Sequence, residues 1–111
     1  MAGVLWYARS DVLGQDETIG ARLVQSFWNS LGERLQEPHT FAFINRGVYL
    51  TLDDSPVLTA LRELEARGCH FYSCGTCLDY FGVRSRLAVG AVGSMALLQD
   101  LMLAADKVIT L

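Results

Sequence analysis

With 111 residues, 51% of them apolar and 19% charged, the chain has the material for one compact domain with its own core and is too short for two. That balance excludes a disordered tail. A net charge of −3, with nine Lys and Arg forming no run, excludes a phosphate-binding surface, so no nucleic-acid partner is expected.

The opening stretch Met1-Ala2-Gly3-Val4-Leu5-Trp6-Tyr7-Ala8 has no basic segment. It is also far shorter than the about 20 apolar residues of a membrane span. A cytoplasmic location is therefore expected, with no membrane partner. Thiols are kept reduced there, and three cysteines read as chemistry or burial before structural disulfides.

Gly3 to Ala8 is predicted as the first strand, followed by the polar loop Arg9 to Gln15. Apolar residues at Ile19, Leu23, Phe27, Leu31 and Leu35, with Val24 and Trp28 beside them, predict one face of an amphipathic helix capped by Asp16. His39 to Asn45 is the second strand and Asn45-Arg46-Gly47 a turn. Val48 to Leu52 is apolar and β-prone and fits either a short strand or a packed loop. Ser55-Pro56 reads as N-cap and first residue of a helix that buries Val57, Leu58, Leu61 and Leu64 and stops at Gly68.

Cys69 to Ser73 is the third strand and Leu87-Ala88-Val89 a weak fourth. Ser94 caps a last helix with Met95, Leu98, Leu101 and Met102 inward, and Lys107 to Leu111 is the closing strand. Strands alternating with helices of this length predict an α/β fold in which a mainly parallel sheet is covered by helices on both faces.

In such a sheet, sites form where the strands' carboxyl ends pass into loops. Cys74 lies at that end of the third strand. Thr76-Cys77-Leu78-Asp79 fits a capping box, with Thr76 as N-cap and Asp79 reaching back from the third helical position. The unpaired N–H groups of the helix start would then face Cys74 and Cys77, lowering the thiol pKa and favouring the thiolate. Gly75 lets backbone amides approach the sulfurs. Two other loops reach the same rim: Ser10-Asp11-Val12-Leu13-Gly14 after strand one, and Asn45-Arg46-Gly47 after strand two. Arg46 can hold an anionic sulfur species or simply be solvated, and Asn45 can be a ligand contact or a turn residue.

Spacing alone leaves a C-x-x-C open to redox chemistry, sulfur transfer, metal binding or packing. Structural zinc needs four ligands. Cys69 lies five strand residues away, ~16 Å from Cys74 at ~3.3 Å per residue. His70 is nearly as far, and His39 begins a different strand, expected at the opposite edge, so no metal site is expected. A thioredoxin-like site is disfavoured because the motif follows the third strand rather than an early one, and the second proline of the chain, Pro56, belongs to a helix cap. Cys69 itself reads as buried packing.

The segment Ser73-Cys74-Gly75-Thr76-Cys77-Leu78-Asp79-Tyr80-Phe81-Gly82 resembles the signature of the carboxy-terminal domain of YedF-type selenium-metabolism proteins, within the DsrE/DsrF-like superfamily. The likeness extends through Asn45-Arg46-Gly47-Val48, Leu61 to Gly68, Val89-Gly90 and Asp106 to Leu111, nearly the whole chain as one domain. Where Gly93-Ser94-Met95-Ala96 stands, the family often has Thr-Asn-Met-Tyr.

The resemblance implies a three-layer α/β/α domain with a five-stranded sheet, and no cofactor. It also implies a carrier of sulfane sulfur or selenium on a cysteine, the position corresponding to Cys74. Homo-oligomers, trimeric or hexameric, are implied as well. YedF-type proteins usually carry a TusA-like domain upstream, so donor and acceptor proteins acting in trans, including TusA-like ones, are the expected partners. On this reading the Cys74 thiolate takes up sulfur and Cys77 resolves the persulfide. The alternative is a non-catalytic interaction or regulatory subunit that uses the cysteine pair as a redox switch.

Overall fold

A computed structural model describes residues 3–111. Five strands, β1 (Val4–Ala8), β2 (Thr40–Phe43), β3 (His70–Cys74), β4 (Ala91–Gly93) and β5 (Lys107–Thr110), form one sheet in the order β4-β3-β2-β1-β5. Every neighbouring pair is parallel, in registers that set Trp6 beside Phe41 and Phe41 beside Phe71. Four α-helices connect them: α1 (Glu17–Leu31), α2 (Leu58–Ala66), α3 (Gly75–Phe81) and α4 (Met95–Ala104). The expected three-layer α/β/α architecture is what the chain adopts.

Connectivity decides how thick each layer is. From β1 to β4 the strands advance in one direction, so crossovers of one hand carry their helices over one face. The step from β4 back to β5 reverses direction, and α4 crosses the other face alone. The first face holds the larger core, where Trp6, Ala8, Phe41, Phe43 and Phe71 meet Val24, Trp28, Leu61, Leu64 and Leu78. Its centre is a row of rings, with Phe41 and Phe71 stacked at 4.9 Å and Trp6 and Phe41 at 5.9 Å. The second core is small: Leu5, Ala42 and Cys74 under Leu98 of α4. Strand alternation produces this split, since odd and even positions of one strand face opposite layers.

Several predicted details shift. Asp16 does cap α1, its carboxylate accepting the N–H groups of Thr18 and Ile19 at 2.9 and 3.2 Å. The buried stripe of that helix, however, is Gly20, Val24, Trp28 and Leu31, leaving Ile19 and Leu23 50% and 45% exposed. Gly20 decides the rotation. A Cβ there would lie 2.6 Å from the Leu13 carbonyl oxygen, so the preceding loop packs where a side chain would stand. Residues Asn45–Thr51 form a 3₁₀ helix rather than a strand or loop.

Ser55 accepts the Val57 N–H in the turn before α2, which starts at Leu58, two residues after Pro56. Leu87 makes only an isolated antiparallel bridge to Leu52, and the fourth strand lies at Ala91–Gly93. Ser94 caps α4 as expected, at 3.1 Å to the Leu97 N–H. Yet only Leu98 of that helix is fully buried, and Met95 is 50% exposed, because a single helix cannot be enclosed on a face it covers alone.

Candidate functional site

The carboxyl ends of β1, β2 and β3 converge on the cysteine pair. β3 passes into α3 with no intervening loop: Cys74 is the last strand residue and also the N-cap of α3, with Gly75 already helical. Thr76 and Cys77 are therefore the second and third residues of the helix, and the capping box does not form. Thr76 is exposed, and no side chain caps the helix. Asp79 turns the other way, to a bidentate pair with Arg84 at 2.7 and 2.9 Å. That guanidinium holds the Asp79 carboxyl below its ordinary range, chiefly through the hydrogen bonds. Gly75 is buried against Arg84 and Val92, which a Cβ would meet at 2.9 and 3.0 Å.

The two sulfurs differ in access. Cys74 is 1% exposed, within the second core beside Leu5, Ala42 and Leu98. Although it ends a strand, Cys74 does not reach solvent, because α4 closes over that face. Cys77 is half-buried and packs against both cores. Its Sγ accepts the backbone N–H of Asn45 at 3.1 Å. The donor thus comes from the β2 loop and not from α3, whose seven residues make a weak dipole.

Burial pushes the Cys77 thiol above its ordinary value, against the lowering expected from a helix start. The Asn45 N–H opposes the rise, while the hydrogen bond and charge of Cys74 add to it. Tyr7, on the same sheet face, is raised first by burial and then by the two cysteines.

Asn45 reaches this position through a left-handed backbone, φ 51°, the one non-glycine residue with positive φ among those described. Asparagine tolerates that conformation better than other side chains; here its Oδ1 accepts the Arg46 N–H at 2.8 Å. Gly47 then packs on β1 so closely that a Cβ would lie 2.3 Å from the Ala8 carbonyl oxygen. Below the site, the buried hydroxyls of Thr51 and Ser73 are 2.8 Å apart and tie the 3₁₀ helix to β3 one residue before Cys74.

A cleft of about 510 Å³ opens over Cys77, lined by Ile44, Asn45, Thr76, Tyr80, Phe81 and Met95. Of the expected rim, only Asn45 reaches it. Arg46 points to a separate cavity of about 400 Å³ on the far side of the 3₁₀ helix, where Asp11 and Glu17 stand 3.2 and 3.6 Å from its guanidinium. Ser10 accepts the Val12 N–H and braces its own loop.

Tyr7, Ile44 and Arg84 carry no role expected from sequence. The period-2 alternation of β1 and β2 is the signal that places Tyr7 and Ile44 on the Cys74 face; nothing local marks Arg84. Met95, expected inward on the last helix, instead lines the cleft half-exposed. Cys69 is buried, as expected. His39 stands just before β2, the strand next to β3, and not at the opposite edge, its Nδ1 accepting the Trp6 indole N–H at 2.9 Å. Among the described residues no three His, Cys, Asp or Glu come together as a metal-holding group, and no helix is long and apolar enough to cross a membrane.

The sequence profile of the DsrE/DsrF-like family matches residues 14–111, a span that includes both site cysteines. The chain belongs to the DsrE/DsrF-like family. Three solved structures share this DsrE-like fold. YchN from E. coli is 21% identical with a TM-score of 0.76, the match covering 100% of both chains. MTH1491 from Methanobacterium thermoautotrophicum is 21% identical with a TM-score of 0.69, covering 96% of this chain and 99% of its own. BT1422 from Bacteroides thetaiotaomicron is 20% identical with a TM-score of 0.64, covering 97% and 94%. No curated protein matches the chain.

Proposed function

We propose that this DsrE-like chain carries sulfane sulfur as a cysteine persulfide. One arrangement supports the reading above all: two neighbouring thiols, of which Cys77 floors an open cleft with a backbone N–H on its sulfur and Cys74 lies buried behind it. The burial of Cys74 shifts the receiving role to Cys77.

The Cys77 thiolate attacks the outer sulfur of a donor R–S–S–H. A Cys77 S–S bond forms, the donor's S–S bond breaks and R–S⁻ leaves, so the sulfur moves without net oxidation. The Asn45 N–H stabilises the attacking thiolate. An acceptor thiolate then takes the outer sulfur by the same exchange. With no acceptor present, the Cys74 thiolate attacks the inner sulfur. This forms the Cys74–Cys77 disulfide and expels HS⁻, and an external dithiol reduces the disulfide.

The YedF-type resemblance extends the proposal to selenium as alternative cargo and to a TusA-like donor in trans, in a reducing cytoplasm. It also suggests a homotrimer or homohexamer. Met102, Leu103 and Val108, exposed apolar residues along α4 and the β5 edge, support such an assembly, which sedimentation mass reads directly.

Incubation with a sulfane donor should add about 32 Da, one sulfur atom, to the Cys77 peptide. Cys77→Ser abolishes that adduct and Cys74→Ser prolongs it. Loading of Cys77→Ser but not of Cys74→Ser makes Cys74 the receiving thiol. If no variant loads, and the parent instead cycles between dithiol and disulfide, the adjacent thiols serve as a redox switch.

A further inference from the structure

The cleft over Cys77 carries a charge preference that names the donor. Among the described residues no lysine, arginine, aspartate or glutamate lines it; its walls are Ile44, Thr76, Tyr80, Phe81 and Met95, with Asn45 as the polar contact to the sulfur. The nearest cations by sequence are both paired with carboxylates. Arg46, adjacent to Asn45, is held by Asp11 and Glu17 in the other cavity, and Arg84, which lies against Gly75 at the start of α3, is closed onto Asp79. Inorganic sulfane donors such as thiosulfate are dianions. Bringing one to Cys77 would strip its hydration with no cation to replace it, on a chain whose net charge is −3. An uncharged apolar group meets no such barrier: the Tyr80 and Phe81 rings, edge to face at 5.1 Å, and the Met95 thioether offer it contact surface.

We infer that the sulfane donor of this site is an organic persulfide, R–S–S–H, whose R group presents an uncharged, apolar surface to the cleft, and that thiosulfate and other small sulfur anions are excluded because no described residue lining the cleft carries a positive charge. The inference rests on the sulfur-carrier reading for the word donor, but the selectivity of the cleft is measurable without it.

The first arm uses two disulfide probes that need no sulfur transfer: neutral 4,4′-dithiodipyridine and the dianion 5,5′-dithiobis(2-nitrobenzoate). Rates are read on the Cys77 peptide of the parent protein at low ionic strength. The neutral-to-dianion rate ratio should exceed that of 2-mercaptoethanol by about tenfold or more, the lower end of electrostatic effects on encounter. Met95→Lys and, independently, Thr76→Lys place a cation on the cleft wall and should each lower the ratio about threefold or more. Gln36→Lys adds the same charge on an exposed loop before β2, at the amino ends of the strands and away from the cleft, and should lower the ratio far less. A parent ratio equal to that of the free thiol, or an equal response to Gln36→Lys, overturns the inference.

The second arm loads sulfur from benzyl persulfide or from thiosulfate, with 2-mercaptoethanol again as reference. Preference for benzyl persulfide, weakened by Met95→Lys, supports the inference. Equal loading from both overturns it and leaves the carrier reading standing. Loading from neither overturns the carrier reading, and the disulfide ratio alone then decides the selectivity.

Discussion

Gly47→Ala tests whether the site depends on how closely the 3₁₀ helix packs against β1. The new Cβ would stand 2.3 Å from the Ala8 carbonyl oxygen, where real Cβ atoms keep beyond 3.0 Å, so the contact must open by about 0.7 Å. Neither side is free to move. The same carbonyl accepts the Ile44 N–H at 3.0 Å, and the Gly47 N–H donates to the Ile44 carbonyl at 2.8 Å. Overpacking of this kind costs about 1–3 kcal/mol, and straining one backbone hydrogen bond adds about 1 kcal/mol.

The expected loss is therefore about 2–4 kcal/mol in urea denaturation. Gly32→Ala is the control. Its Cβ would meet the Arg67 guanidinium at 3.2 Å, where Nη1 donates to the Gly32 carbonyl, and Leu64 at 3.7 Å, so the shift needed is small and its cost should stay below about 1 kcal/mol, one strained hydrogen bond. Because Asn45 is two residues away, the same opening loosens its N–H from Cys77. That contact lowers the thiol, so loosening it raises the thiol further and slows iodoacetamide alkylation of Cys77 at pH 7. Equal stability of the two alanine variants, or an unchanged Cys77 rate in Gly47→Ala, refutes the reasoning.

Thr51→Val leaves the buried Ser73 hydroxyl without its partner and should cost about 1–3 kcal/mol; the double variant Thr51→Val/Ser73→Ala should cost clearly less than the sum of the singles, and strict additivity would show that the 2.8 Å contact is energetically idle. The alkylation rate of Cys77 should rise with pH to a midpoint above the about 8.5 of a free thiol, and a midpoint below it contradicts the burial argument. The folded protein keeps the Cys77 proton longer than the unfolded chain does. Stability is full below the unfolded thiol's range and falls as pH rises through it to the raised folded value, so the loss between pH 7 and 10 should shrink in Cys77→Ser.

Much of the site's placement was readable from local pattern. The period-2 and helical stripes mark four of the five strands and three of the four helices, a capping pattern marks α3, and Cys74 falls at a strand's carboxyl end because β3 stops where α3 begins. The misjudged features depend on contacts distant in sequence. Thr76-x-x-Asp79 matches a capping box in composition, but the strand feeds the helix two residues earlier and Arg84 claims the carboxylate. The face of α1 is set by Gly20, silent in a hydrophobic pattern, against which the Leu13 carbonyl packs.

The residues by themselves determined an α/β domain of parallel strands, with a cysteine pair at the junction of β3 and α3, because backbone periodicity and the strand-to-helix transition are local properties. Only the tertiary structure decided which sulfur meets solvent. The reversal of chain direction at β4 sends α4 across the Cys74 face and buries that thiol, while the left-handed Asn45, 32 residues before Cys77, delivers the N–H its sulfur accepts. Burial and long-range hydrogen bonding are sums over neighbours that the order of residues along the chain does not display.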